Sequence, residues 1–96
     1  MIRHICMFSI KEENKEASIT EFLRRGKELA KLPTIHSGQV VRKTEGVPNA
    51  NYDVALIFDF NTLEDLNAYQ VCPEHVAFGR FVGGIRESRA CIDYEI

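Results

Sequence analysis

Residues 62–81, TLEDLNAYQVCPEHVAFGRF, predict two short helices joined at a proline, and the rest of the chain can be arranged around them. Thr62 is a typical N-cap and is followed by acidic residues, which the helix dipole favours in a first turn. Pro73 ends this helix and can begin the next, since its fixed φ and missing N–H suit the first helical position. The bend allows Tyr69 and His75 to point into the same space.

Two interpretations of Tyr69 and His75 stay open. Facing an apolar pocket, the neutral imidazole of His75 could remove a proton from a carbon flanked by carbonyls, while Tyr69 donates a hydrogen bond to the developing enolate. Alternatively, both are core residues with one satisfied hydrogen bond each, and His75 bridges the two helices. An enclosed pocket containing both side chains would favour the first interpretation.

The remaining pattern predicts four strands and one more helix. Alternating apolar residues place the strands at residues 2–10, 38–45, 52–60 and 88–95. Ser18 and Glu21 form a capping box, so a helix is expected to begin there or one turn earlier, and Pro33 closes it. Gly83 and Gly84 are expected to end the later helices. The resulting order, β-α-β-β-α-β, is that of an α+β, ferredoxin-like fold with one antiparallel four-stranded sheet.

The sheet is expected to have an apolar face that the helices do not cover. Four residues of the first and third strands alternate away from the helix side: Ile5, Met7, Ala55 and Ile57. Monomers rarely expose such a patch. A two-fold homodimer through this sheet face is therefore expected.

Composition sets broad limits on function. The 96 residues form a single domain over 1–96, with 45% hydrophobic and 27% charged residues, as in a folded globular protein. A net charge of −2 gives no reason to expect nucleic acid as a partner, and no apolar run is long enough to cross a membrane. The three cysteines have no paired spacing. We therefore expect free thiols and a cytoplasmic location. The sequence has no glycine-rich phosphate loop or nucleotide fingerprint, so no cofactor is expected. Cys72 and His75 offer only half of a zinc site, so no metal is expected.

Four segments, IRHICMFSIK, YDVAL, AYQVCPEHVAFGRFV and IDYE, resemble the stress-responsive dimeric α/β-barrel (Dabb) family over almost the whole chain. The most specific piece is Tyr69 followed by Pro73, His75 and Phe78, which is similar to the family's Tyr…Pro-x-His-x-x-Phe pattern. The resemblance implies that two sheets close face to face into a barrel across a dimer interface, with the helices outside.

The resemblance also implies candidate site residues. Most members have no assigned reaction, but one branch comprises plant polyketide cyclases that perform an intramolecular aldol condensation without a cofactor. Their catalytic tyrosine and histidine match Tyr69 and His75, and a first-strand histidine matches His4. Where that branch has a further histidine and tyrosine in the cavity, this chain has Val54 and Gly26.

Two functions therefore remain open. In the first, the homodimer holds a small, largely apolar molecule between sheet and helices, with His4 and Val54 in the wall of the pocket. In the second, the protein is a cofactor-independent cyclase or lyase that uses Tyr69 and His75 as an acid–base pair.

Overall fold

Four strands and three helices alternate along the chain in a computed structural model that describes residues 1–96. The elements are β1 (Ile2–Ile10), α1 (Lys15–Leu29), β2 (Ser37–Arg42), β3 (Val54–Phe60), α2 (Leu63–Val71), α3 (Pro73–Ile85) and β4 (Arg86–Glu95). The strands form one antiparallel sheet in the order β2-β3-β1-β4. This confirms the ferredoxin-like fold, with the second helix divided at Pro73.

The helices cover one face of the sheet and enclose the core there. Strand alternation turns His4, Cys6 and Phe8 of β1 toward the helices, and all three are buried. The largest fully buried side chains are Tyr69, Phe22, Phe58, Phe60 and Ile10. Phe22 of α1 contacts the rings of Phe8 and Phe78, at centroid distances of 5.6 and 5.4 Å. These aromatic contacts join α1, α3 and the sheet.

The opposite face of the sheet is apolar and has no helix over it. In the β1–β3 register Ile5 pairs with Ile57 and Met7 with Ala55, and the same face continues onto β4 through Ile92. Ile92 is 59% exposed. The sheet therefore has the two apolar faces that the sequence indicates.

One helix start agrees with the sequence prediction, and one helix end differs from it. Helix α1 begins one turn before Ser18, at Lys15, after Asn14 in a left-handed conformation. Helix α3 does not end at Gly83 and Gly84 but continues through them to Ile85. Ile85 packs against the core, and this burial extends the helix despite the weak helix propensity of glycine.

Cys6 and Cys91 form a disulfide, so the prediction of three free thiols is wrong; only Cys72 is free. The two cysteines are 85 residues apart in sequence but directly opposite each other in the β1–β4 register, with Cα atoms 4.3 Å apart. Sequence spacing does not reveal a pair that strand register brings together. The cysteines of this chain therefore do not support the cytoplasmic location that their count and spacing indicated.

Candidate functional site

A cavity of about 250 Å³ lies between the helix-facing side of the sheet and the two helices joined at Pro73. Its polar lining consists of His4, Tyr69, Gln70, His75, Arg86 and Arg89. The remaining lining consists of Cys6, Phe8, Leu56, Phe78, Gly79 and Val82. The structure thus brings His4, Tyr69 and His75 together at one cavity.

The bend between α2 and α3 aligns Tyr69 with His75. Thr62 caps α2 by accepting a hydrogen bond from the N–H of Asp65 at 3.1 Å, as expected from the sequence. Cys72 then adopts an extended conformation, and Pro73 takes the first position of α3. The rings of Tyr69 and His75 consequently lie 4.5 Å apart, centroid to centroid.

The hydroxyl of Tyr69 is buried without a hydrogen-bond partner. The side chain is 0% exposed, and the rings of Phe58 and Phe60 pack against it at 5.8 and 5.2 Å. Burial raises the pKa of Tyr69 above its ordinary value. The phenol therefore stays protonated near neutral pH and has a hydrogen bond to donate.

His75 presents an unprotonated nitrogen at neutral pH. Its Nδ1–H donates to the carbonyl oxygen of Gln70 at 2.9 Å, which leaves Nε2 as the acceptor of the neutral ring. Burial lowers the pKa of His75, and the nearby His4 and Arg89 act in the same direction. The hydrogen bond to Gln70 opposes this shift without cancelling it. His75 is therefore neutral at pH 7 and can accept a hydrogen bond or a proton.

His4 is held by a residue that the sequence did not single out. Asp93 of β4 lies opposite His4 in the strand register, and its Oδ1 is 2.5 Å from His4 Nδ1. The other ring nitrogen, Nε2, lies 3.5 Å from the sulfur of Cys6. His4 itself is 4% exposed. The alternation of β4 was visible in the sequence, but the pairing of Asp93 with His4 depends on the register.

Val54 and Gly26 lie elsewhere in the core. Val54 is buried on the helix side of β3, but Leu56, rather than Val54, lines this cavity. Gly26 is buried where α1 crosses β2, and a Cβ atom there would be 2.7 Å from Cγ1 of Val40. The close approach of α1 to β2 leaves no room at position 26 for a side chain.

No group of three or more histidine, cysteine, aspartate or glutamate side chains has the arrangement needed to hold a metal ion. No helix is both long and apolar enough to span a membrane.

The antiparallel sheet and the order of its elements place this protein in the class of ferredoxin-like α+β proteins. Within that class it has a cavity with a tyrosine and a histidine beneath a second helix that is broken at Pro73. The chain belongs to the stress responsive A/B barrel domain (Dabb) family, which matches residues 2–96. The sequence resemblance is thereby confirmed. No protein of curated function matches the chain.

Solved structures share this fold over the whole chain. A dimeric protein of unknown function with a ferredoxin-like fold from Bacteroides fragilis is 30% identical, with a TM-score of 0.79 over 99% of this chain and 95% of that chain. A Dabb family protein from Mesorhizobium loti is 25% identical, with a TM-score of 0.84 over 99% and 95%. A hydroxynitrile lyase from Passiflora edulis is 18% identical, with a TM-score of 0.85 over 99% and 92%, and at that identity the likeness concerns the fold alone.

Proposed function

We propose that this protein is a homodimer that binds a small, largely apolar molecule bearing a carbonyl or similar oxygen in the cavity between sheet and helices. The observation that carries the proposal is the hydroxyl of Tyr69, which is buried at the cavity and has no partner. A buried polar group without a partner costs about 1–3 kcal/mol. A ligand oxygen accepting from Tyr69 would remove that cost on binding, so the site favours a ligand that supplies one.

The other polar groups fit the same ligand. Nε2 of His75 can accept a hydrogen bond from a hydroxyl or an acidic C–H of the ligand, while Phe8, Leu56 and Phe78 provide apolar contact. The cavity volume suits a ligand of modest size rather than a polymer.

The uncovered face of the sheet supports the proposal of a homodimer. Ile5, Met7, Ala55 and Ile57 lie on that face, where a second copy would bury them together with the exposed Ile92. The 30% identical Bacteroides fragilis protein is described as dimeric. An interface of this composition should be hydrophobic and long-lived.

A second function, cofactor-independent cyclisation or cleavage, is favoured by the protonation states of the same pair. His75 is neutral and Tyr69 is protonated at pH 7, as general-base catalysis with enolate stabilisation requires. Nε2 of His75 would take a proton from a carbon flanked by carbonyls, and the O–H of Tyr69 would donate to the enolate oxygen.

The ligand can be identified by native mass spectrometry after incubating the protein with a metabolite extract. Tyr69→Phe removes only the unpartnered hydroxyl, so we expect unchanged or slightly higher thermal stability. Affinity for the identified molecule should fall about 5- to 30-fold, the equivalent of roughly 1–2 kcal/mol. Val76 of α3 is 41% exposed, so Val76→Ala is the control and should change neither the thermal stability nor the affinity. Loss of stability with unchanged affinity in Tyr69→Phe would contradict the site.

His75→Ala separates a cavity residue from a bridge between helices. At the proposed site, this change weakens binding and costs little stability, because the exposed carbonyl of Gln70 can accept a hydrogen bond from water instead. Wild-type binding weakens as the pH falls through the pKa of His75, which lies below its ordinary value of about 6.5. A bridging histidine would instead cost about 1–3 kcal/mol of stability with no effect on binding. Recovery of a chemically changed ligand from wild type, but not from His75→Ala, would establish the enzyme function over simple binding.

A further inference from the structure

The disulfide connects the interior of the cavity to the surface of the sheet. Cys6 is 4% exposed and lines the cavity, whereas Cys91 is exposed on β4, an edge strand. The two sulfurs therefore differ in access. An attacking thiolate reaches Cys91 Sγ first, and Cys6 is then the sulfur that leaves.

His4 is placed to assist the departure of Cys6. Its Nδ1–H donates to Oδ1 of Asp93, and its Nε2 faces the sulfur of Cys6 at 3.5 Å. A carboxylate, an imidazole and a sulfur in this order can stabilise a thiolate, because the carboxylate holds the ring with its other nitrogen directed at the sulfur.

We propose that Cys6 and Cys91 form a thiol–disulfide exchange centre that reacts with low-molecular-weight thiols or dithiols, with His4 and Asp93 stabilising the thiolate of Cys6. The thiolate of the reductant attacks Cys91 Sγ, and a bond forms between them as the Cys6–Cys91 bond breaks. The electron pair goes to Cys6, and its thiolate accepts a hydrogen bond from Nε2 of His4 after that nitrogen takes up the proton released by the attacking thiol.

A second thiolate, from the same dithiol or another molecule, then attacks the reductant sulfur and releases Cys91. Two thiols of the reductant are thereby oxidised to one disulfide, and their two protons end on Cys6 and Cys91. The reverse sequence oxidises the protein. His4 and Cys6 also line the cavity of the proposed ligand site, but exchange with a thiol does not depend on a cavity ligand, and its test requires none.

The groups facing His4 come from three elements. Asp93 contacts it directly from β4, Tyr69 packs edge-on from α2 at 6.1 Å, and His75 lies on α3 at the same cavity. Arg86 and Arg89 line the cavity as positive charges. Tyr69 and His75 are uncharged at pH 7, so the charge in direct contact with His4 is that of Asp93.

The first experiment measures reduction by dithiothreitol against pH in a Cys72→Ser background, which removes the remaining free thiol. His4→Gln should slow reduction near neutral pH about tenfold, because the leaving thiolate loses its stabilising partner. Asp93→Asn is the second variant; Asp93 is exposed, so this protein should fold even if His4→Gln does not. The asparagine keeps a hydrogen-bond acceptor for His4 but lacks the negative charge, so Asp93→Asn should also slow the reduction.

The second experiment compares the two thiols separately by alkylation with iodoacetamide across pH. In the Cys91→Ser, Cys72→Ser protein, only Cys6 can be alkylated. The pH at which its alkylation rate is half-maximal should lie at least about one unit below the ordinary thiol value of about 8.5. With Cys6→Ser and Cys72→Ser, Cys91 should titrate near the ordinary value. Asp93→Asn should move the midpoint of Cys6 upward. We compare the pH midpoints because limited solvent access lowers the alkylation rate by the same factor at every pH and so leaves the midpoint unchanged.

Two results would overturn the proposal. One is a reduction rate and a Cys6 midpoint that are unchanged in both the His4 and Asp93 variants, which would leave the disulfide a purely structural link. The other is the recovery of both thiols in reduced form after equilibration with oxidised glutathione.

Discussion

Asp53 shows how a single buried charge can hold several elements of this fold together. It is 5% exposed, and its Oδ2 accepts the backbone N–H of Ile10 at 2.7 Å. Its Oδ1 lies 3.4 Å from the amino groups of both Lys15 and Lys43. Burial alone would raise the pKa of Asp53, but the Ile10 hydrogen bond and the lysines outweigh it, so the pKa lies below its ordinary value.

Replacing Asp53 should therefore reduce stability in a pH-dependent way. Asp53→Ala leaves the N–H of Ile10 unpaired and should cost about 1–3 kcal/mol at pH 7 in urea unfolding. Since the folded-state pKa is lowered, the contribution is present above about pH 3.9 and is lost as the pH falls through the folded pKa. The variant's stability should fall less steeply with acid than that of wild type. Glu13→Ala, at an exposed position, is the control, and an equal loss there would contradict this role.

The packing of α1 on β2 depends on the absence of a side chain at position 26. A Cβ atom there would lie 2.7 Å from Cγ1 of Val40 and 3.4 Å from Cδ2 of Leu56. The first separation is shorter than any normal contact, so either the helix or Val40 would have to move. By contrast, Gly83 in α3 has no atom within 4 Å of an added Cβ.

Opposite effects are expected for the same substitution in these two helices. Gly26→Ala should destabilise the protein by about 1–3 kcal/mol through overpacking. Gly83→Ala should stabilise it by roughly 0.5–1 kcal/mol, because alanine loses less backbone entropy in a helix. Thermal unfolding of the two variants beside wild type measures both effects. Stabilisation by Gly26→Ala would show that α1 can move away from β2 at little cost.

At the scale of the molecule, the sheet is apolar on both faces while the helices cover only one. Val41 of β2 and Tyr94 of β4 remain 38% and 41% exposed on the two edge strands of the uncovered face, and Ile57 pairs with Ile5 at its centre. Closing that face against a second copy would bury these residues without altering the cavity, which lies on the helix side. Dimerisation and ligand binding should therefore be separable by mutation.

Ile57→Lys tests this separation. A lysine in the centre of the proposed interface would bring two buried charges face to face, so the protein should sediment as a monomer at micromolar concentration. Val71→Lys, at a position 77% exposed on α2, is the matched control and should remain dimeric. A wild-type protein that is already monomeric, or an Ile57→Lys protein that remains a dimer, would remove this face as the interface.

Local sequence determined the elements and their order. Alternation in residues 2–10 and 52–60 predicted both central strands and both of their apolar faces, since side chains on a strand point alternately to its two sides. Thr62 and Pro73 likewise predicted the start of α2 and the bend, because capping and the loss of an N–H act within one turn. The bend and the family resemblance together indicated that the side chains of Tyr69 and His75 lie close to each other.

Tertiary structure alone decided which distant residues meet. The disulfide between Cys6 and Cys91, and the contact of Asp93 with His4, depend on the β1–β4 register, which spans most of the chain. Whether the hydroxyl of Tyr69 finds a partner depends on every element packed around it. Such pairings arise because burial of the whole core selects one register and one helix placement, whereas local propensity acts only over a few neighbouring residues.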